Sequence, residues 1–595
     1  MKSIFTKIKE AVTVEKVIVR IIMAWILTSL CFFIKSDGNY ATALYAEEIN
    51  TIMFFCYIVL FFLAFCALGL FKVFTWVETF GPTILITVYG ILSVGSDTDF
   101  AYVVGLMVML AVAILYAINK TRVFIDIKKS SYVNILYIIF TVLYMTVVGG
   151  ISIFRHLSFN SGTEGLGVMM NVFHSLREGF VSLDWEHIKE SVAYLIDNFS
   201  PVYYIFLPVY IVAPSPITLL VLQVIMVISG LIPLVLLCRK FELSKTAMVA
   251  FGFLYVLYPA ISCGCYTDLH ESCLIVSVLL WLLYFIEKDN YKFVLIMSAI
   301  ALLVCADAVI YVAFIGLYMV VNKRRYIKGL VLIVASILYY IAMIILLKKF
   351  VGTELSVGLS NYIVDGEGTI LDVLRNFMVN PAYVVQECFS EEKLQFIIIM
   401  FLPLGFLPLF CKKISKFILF LPMIIINLAP DFPDKYSIYH QYAFGTSAVL
   451  IYMAVSNYSE LEEKSKRYLC AMAMCAALVF LPTGAWSRVN YVVDYKENSE
   501  EYKSLYEDLK EIPEDASVVA SPLFIAHLSN RSEIDEYYYG AEADYIVLDC
   551  RDNRYDSRIV NGLVKKGYEI KSQHKNHYVI LANKEYVENA LGSVQ

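Results

Sequence analysis

The sequence predicts an all-α polytopic membrane protein that carries a small α/β domain at its C-terminal end. Three observations predict it. Hydrophobic residues make up 59% of the 595 and charged residues only 17%, with a mean hydropathy of +0.69. A soluble globular protein is nearer half apolar and one quarter charged. The apolar residues fall in blocks of about 20, the length that crosses roughly 30 Å of hydrocarbon as a helix. Near residue 490 the blocks stop and charge density rises. The pattern excludes a cytosolic enzyme, a disordered chain and a disulfide-stapled secreted domain. A net charge of −6 implies no basic surface for nucleic acid. The 13 Cys are scattered, most of them inside apolar runs, where a thiol behaves as a small hydrophobe.

In chain order, candidate spans cover 17–34, 51–71, 79–95, 100–118 and 132–154. They continue over 217–238, 247–262, 272–286, 293–305, 308–322, 329–347, 394–411, 417–429, 445–457 and 468–486. That is roughly 13–16 helices, the short ones reading as re-entrant or paired half-helices. Met1–Arg20 is amphipathic and basic and runs directly into the first span, so no cleavable signal peptide is expected. Three regions follow: N-terminal helices over 1–131, a transmembrane core over 132–489 with a long loop at 155–200, and a domain over 490–595.

Orientation follows from Lys and Arg in short loops. The N-terminus, Lys120–Lys129, Arg239–Lys245, Lys323–Lys328 and Lys412–Lys416 fall on one side of this span list, which is then cytoplasmic. The other side of the plasma membrane receives loop 155–200, Asp268–Glu271, Asp307, loops 351–393 and 430–443, and the C-terminal domain. In that domain Ser517–Ser521 and Ala543–Asp549 read as buried strands, Tyr555–Lys566 as a helix and Tyr568–Asn583 as a hairpin.

No P-loop and no H-E-x-x-H helix is present, and Cys263-x-Cys265 lacks a second ligand pair at zinc spacing, so no metal site is expected. The chemistry must come from polar residues beside or within apolar runs, where ionisable groups are costly and face a cavity or a partner. Asp307 interrupts the apolar stretch 293–322, as a site carboxylate or as a helix cap. Asp268, His270 and Glu271 crowd one turn, either a proton relay and phosphate contact or a solvated turn. Loop 155–200 opens on Arg155-His156, contains Glu164, reads as an amphipathic helix near Val168–Gly179 and ends near Asn198. It suits a substrate platform at the membrane surface or a plain connection. Segment 427–442 alternates Pro, aromatic and polar residues, His440 and Gln441 among them, as a sugar-stacking surface or an interfacial aromatic belt.

These stretches resemble a family of prokaryotic membrane proteins, the domain of unknown function 2079 family. The resemblance is carried by FNSGTEGLG at 159–167, DNFSPVYYIFLPVYIVAPSPITLLVLQ at 197–223, YTDLHES at 266–272, CADAVIYV at 305–312, LPLGFLPLF at 402–410, INLAPDFPDKYSIYHQY at 426–442 and IPEDASVVASPLFIAHLSNR at 512–531. It covers roughly 134–550 and leaves out the first four spans. The family is grouped by fold with the GT-C glycosyltransferases, so the resemblance implies a GT-C-like core. It also implies transfer of a sugar from a polyprenyl-phosphate donor to an extracytoplasmic glycan or protein acceptor. Glu164 or Asp307 would be the base, Arg155 and His270 the phosphate contacts, with Glu271, Asn198, His440 and Gln441 lining the substrate site. The resemblance names no certain cofactor, and a divalent cation is compatible with the reading. The sequence departs from the family pattern: Gly165 and Met170 stand at the two Asp positions of the loop, Asn198 where His is usual, and Ala306 where Glu precedes Asp307. Two other classes remain open, a transporter or flippase of a lipid-linked or small polar substrate, and a non-catalytic assembly protein.

Overall fold

The computed structural model describes residues 13–34, 49–71, 73–94, 100–120, 127–177, 200–350, 359–362, 373, 379–531, 533–538, 540–551, 557–574 and 578–587. Asn198, the second half of loop 155–200 and most of the acidic loop 351–393 lie outside these residues.

Every predicted apolar stretch is helical. The helices are α1 Val14–Phe33, α2 Thr51–Leu68, α3 Phe74–Ser93, α4 Phe100–Lys120, α5 Ser130–Leu157, α6 Val168–Arg177, α7 Tyr203–Val212, α8 Pro216–Lys240 and α9 Lys245–Leu257. Then come α10 Cys273–Glu287, α11 Tyr291–Val304, α12 Ala308–Val321, α13 Tyr326–Phe350, α14 Pro381–Cys388, α15 Glu391–Phe401, α16 Ile414–Leu428, α17 Ala443–Ser459 and α18 Glu463–Glu497. Among the described residues seven helices are long and apolar enough to cross a membrane, or eight if α9 is joined to the bent Pro259–Cys265 segment. The apolar helices α7, α10, α11, α12 and α16 are too short to cross alone. At 1.5 Å per residue a 14-residue helix such as α11 or α12 spans only about 21 Å. The two are joined through Cys305–Asp307, and their far ends return to one face, where the Tyr291 hydroxyl donates to the Lys328 carbonyl at 3.3 Å.

From α5 to α18 the helices share one continuous core. By contrast, none of the residues of α2 is buried, as expected of a helix whose whole circumference meets lipid. A charged pair lies inside the N-terminal helices: Arg20 of α1 is fully buried and donates to Glu78 of α3. Gly69 has no side chain where the guanidinium lies, which lets it reach Glu78.

Four basic segments gather on one face. Ile127 N–H donates to Thr246 Oγ1 at 3.3 Å, and Lys245 Nζ bonds the Lys128 carbonyl. Lys323 pairs with Glu287 at 2.7 Å, Asn322 donates to Ser415 at 2.7 Å, and Lys416 pairs with Glu460 at 2.7 Å. Phe241 packs on Tyr452, which donates to Glu287 and so links the two groups.

The C-terminal domain continues α18 almost without a break through α19 Ser499–Lys510. Its five-stranded sheet has the order β2-β1-β3-β5-β4. The strands are β1 Val518–Ala520, β2 Ile534–Glu536, β3 Tyr545–Asp549, β4 Tyr568–His574 and β5 Tyr578–Asn583, with helices α20 Pro522–Leu528 and α21 Ser557–Lys565. β1 runs parallel to β2 and β3, while β3–β5 and β5–β4 are antiparallel, the last being the predicted hairpin. The edge strand β2 and helices α19 and α20 are additions to the sequence reading. β2 is three residues long with an exposed centre, too little pattern to read.

Candidate functional site

The site is built where α5 ends, opposite the basic loops. The last turn of α5 presents Arg155, whose guanidinium forks onto Asp268: Nη1 donates to Oδ1 at 2.5 Å and Nη2 to Oδ2 at 3.3 Å. Both side chains are largely buried, at 14% and 12% exposure. Gly165 lies against the same carboxylate, and any side chain there would collide with it. Arg155 is therefore not a free phosphate ligand; it clamps the 159–167 loop to the 266–272 turn. That turn is not solvated either, since Tyr266 is 1% and Glu271 1% exposed. All three of its ionisable groups have partners in the fold, so it differs from the solvated turn that the sequence alone allows.

Glu271 is held by the Tyr203 hydroxyl, which donates to Oε2, and the His270 ring lies 3.2 Å from the same oxygen. The atom that faces Glu271 is Nδ1, which also lies 3.3 Å from the Ser272 N–H, so Nε2 is the ring nitrogen left to face the cluster. Burial lowers the His270 pKa, partly opposed by Glu271 and Asp307. The fields of Asp307, Lys435 and His440 all reach this ring, so residues far apart in sequence converge on one region.

Asp307 stands at the N-terminal end of α12 but makes no capping hydrogen bond. Its Oδ2 accepts from Lys435 Nζ at 3.3 Å, and the carboxylate is 30% exposed. Lys435 also sits 3.9 Å from the centroid of the Tyr442 ring. The 433–442 loop that brings them is pinned by fully buried Asn427, which donates to the Lys435 and Tyr442 carbonyls at 2.6 and 3.1 Å and accepts from Thr446. Burial, with the nearby acids Asp307, Asp434 and Glu271, pushes the Tyr442 phenol up to about 12, so it stays protonated. His440 is 41% exposed and 3.3 Å from Asp434. Gln441 lies against the Tyr442 phenol.

Glu164 falls in the π-helical turn Thr163–Gly167, and its side chain lies outside the described residues. α6, read from sequence as an interfacial amphipathic helix, is almost wholly buried: Met169, Met170, Val172, Phe173, His174, Ser175 and Leu176 are all inside. The C-terminal domain and α7 close over it, covering faces that the sequence pattern assigns to water or lipid. The domain's dock is aromatic. His527 is stacked between His156 and Phe159, each ring centroid 4.0 Å away, and its Nε2 meets the His156 carbonyl at 3.1 Å. Gly167 packs against Ile525.

Sequence reasoning missed Tyr203, Lys435 and Arg488. Their common signal was an aromatic or basic residue beside a predicted outer loop. Among the described residues no group of three His, Cys, Asp or Glu side chains could hold a metal ion. An apolar cavity of about 710 Å³ is built instead by α1, α3 and α4, with Trp25, Tyr89 and Val112 in its wall, and shares no residue with this cluster.

No curated protein matches the chain. Among solved structures, ArnT from Cupriavidus metallidurans bound to undecaprenyl phosphate aligns with a TM-score of 0.44 at 9% identity, covering 74% of this chain and 97% of that one. The model of the family described as "Predicted membrane protein (DUF2079)" matches residues 155–586. That stretch holds the Arg155–Asp268 clamp, the Glu271 and Asp307 carboxylates, the 433–442 loop and nearly all of the C-terminal domain, and the chain belongs to this family.

Proposed function

We propose that the chain transfers a sugar from a polyprenyl-phosphate donor to an extracytoplasmic acceptor, with Asp307 as the acceptor's base. The observation that carries this reading is the state of that carboxylate: partly exposed at a break between two half-length helices, not spent on capping, and faced by a single ammonium. In this reading the basic loops are cytoplasmic, while the Asp307 region and the 490–595 domain lie outside. Residues 1–131 are an N-terminal helical module, and 132–489 form a GT-C-like core.

In the transfer step Asp307 takes the acceptor's proton, and the acceptor oxygen bonds to the anomeric carbon. The bond from that carbon to the phosphate oxygen breaks, and the lipid phosphate leaves with the electron pair. Lys435 orients Asp307. His270 contacts a substrate oxygen through Nε2, and Glu271, fixed by Tyr203, orients the turn that carries it. His440 and Gln441 contact the sugar from the exposed loop, and Asn198 is proposed as a further sugar contact. Arg155 becomes a positioning residue. Glu164 is a second candidate base. A divalent cation fits poorly, because the described carboxylates face cations or hydroxyls rather than one another, and no step is assigned to one. Transport is less well supported, since a carrier needs a site at mid-membrane and the buried Arg20–Glu78 pair is already closed on itself.

The test is transfer from a polyprenyl-phosphate sugar by the purified chain. Asp307→Asn should lower the rate roughly 10²–10⁴-fold, the usual contribution of a general base, with donor affinity little changed. Full activity in Asp307→Asn together with loss in Glu164→Gln would move the base to Glu164. Full activity in both would end the proposal.

A further inference from the structure

Arg488 is a cation that the mechanism above does not use. It lies on the outer part of α18, one turn beyond Gly484, which packs on Cys263 Sγ. Its guanidinium carbon is 5.8 Å from the Tyr439 ring centroid and 6.0 Å from that of Tyr491, and Nη1 donates to the Tyr491 hydroxyl at 2.9 Å. Its Nε is buried and has no hydrogen-bond partner among the described residues. No carboxylate pairs with it among those residues, whereas Arg20, Arg155, Lys435 and Arg551 each have one.

An arginine with a buried, unused donor is expensive unless something negative completes it. Two tyrosine rings support the charge through their faces but accept nothing from Nε. A guanidinium left with a free edge matches two oxygens of a phosphate, which a point-charge ammonium does not. Tyr439 belongs to the same loop that sends Lys435 to Asp307 and His440 toward His270, and its carbonyl lies 3.5 Å from the hydroxyl of Thr267, next to Asp268. One loop thus contacts both Arg488 and the base.

We propose that Arg488 anchors a phosphate group, presented by a lipid headgroup or free in solution, with Tyr439 and Tyr491 as its walls. The identification of that phosphate as the sugar donor's rests on the function proposed above; the anion site itself does not.

Binding of two probes to the detergent-purified full chain tests this, a polyprenyl monophosphate in micelles and inorganic phosphate in the same buffer. Arg488→Gln should weaken polyprenyl phosphate roughly 10–100-fold, and Arg488→Lys should restore only part of that because the fork is lost. Asp307→Asn should bind as the parent does, which separates the two ideas. If Asp307→Asn keeps full transfer while Arg488→Gln loses binding, the base assignment fails and the anion site stands. Weakened lipid binding with inorganic phosphate binding negligible in the parent assigns the site to a lipid headgroup; weakening of both assigns it to phosphate in general. Unchanged binding of both probes in Arg488→Gln and Arg488→Lys, each with the parent's melting temperature, would overturn the proposal.

Discussion

At the scale of single residues, the consequential pairing is Arg155 with Asp268. Both are mostly buried, so removing either partner strands a charge in a poorly solvated place. We expect Arg155→Ala and Asp268→Ala each to cost about 3–5 kcal/mol, and the double variant much less than the sum. Thermal unfolding of the four-member cycle checks this; additive losses would mean that the two side chains do not depend on one another. The sequence made Arg155, Asp268, His270, Glu271 and Asp307 visible because charges beside apolar blocks stand out. It could not say which were already neutralised. Arg155 looks like a ligand until Asp268, 113 residues later, is seen to occupy it. Lys435 looks like one more charge in a polar loop until Asn427 is seen to fold that loop onto Asp307.

At the scale of elements, the aromatic seat of the C-terminal domain carries a pH dependence. Burial holds the His527 pKa well below its ordinary value, the neighbouring His156 ring lowers it further, and the His156 carbonyl partly opposes both. The groups packed on it are His156, Phe159, Phe524 through Phe159, and the edge of Tyr506, and none is a carboxylate. The folded pKa lies below the unfolded one, so the unfolded form binds more protons on acidification. Docking is therefore fully stable above the unfolded histidine value of about 6.5 and weakens as pH falls below it. Protection factors across 518–528, corrected for the intrinsic exchange rate at each pH, should fall between pH 7.5 and pH 5 in the parent chain. Replacing both titratable rings of the seat, His156→Phe with His527→Phe, keeps a stack and should remove most of that difference; an equal response in the parent and the double variant would exclude the histidines as its source. The helices themselves were legible because blocks of apolar residues leave little else to form in lipid. The faces they bury were less so. α6 has the moment of a surface helix and is buried because a separate domain lies over it.

At the scale of the whole molecule, the four basic loops that a count of spans assigns to one side do gather on one face, and the site lies on the other. In the proposed topology the face that carries the positive charge meets the cytoplasm. Cysteines placed at Lys328 and at Glu569, both exposed, should react with impermeant reagents from opposite sides of sealed vesicles, the former only from the cytoplasmic side. Labelling of both from one side would refute the topology. The span count was hard to read from sequence, because short helices such as α11 and α12 have the hydropathy of a span and about half to two thirds of its length. Two such halves that return to the face where they began leave the parity of the following spans unchanged.

The continuity of α18 has a mechanical meaning. Pro482 is the last interruption in it, and no break follows before Asn498. Arg488 and Tyr495 are seven residues apart, two turns, and so point the same way from the helix axis. Tyr495 rests on Phe154 at the end of α5 and stacks with Tyr502 of α19, the first helix of the outer domain. Arg488 and the domain thus ride on one shaft. If Arg488 holds a phosphate as proposed, any turn of that shaft that moved the domain off its histidine seat would also move the guanidinium relative to Tyr439, coupling the two through the pitch of a single helix.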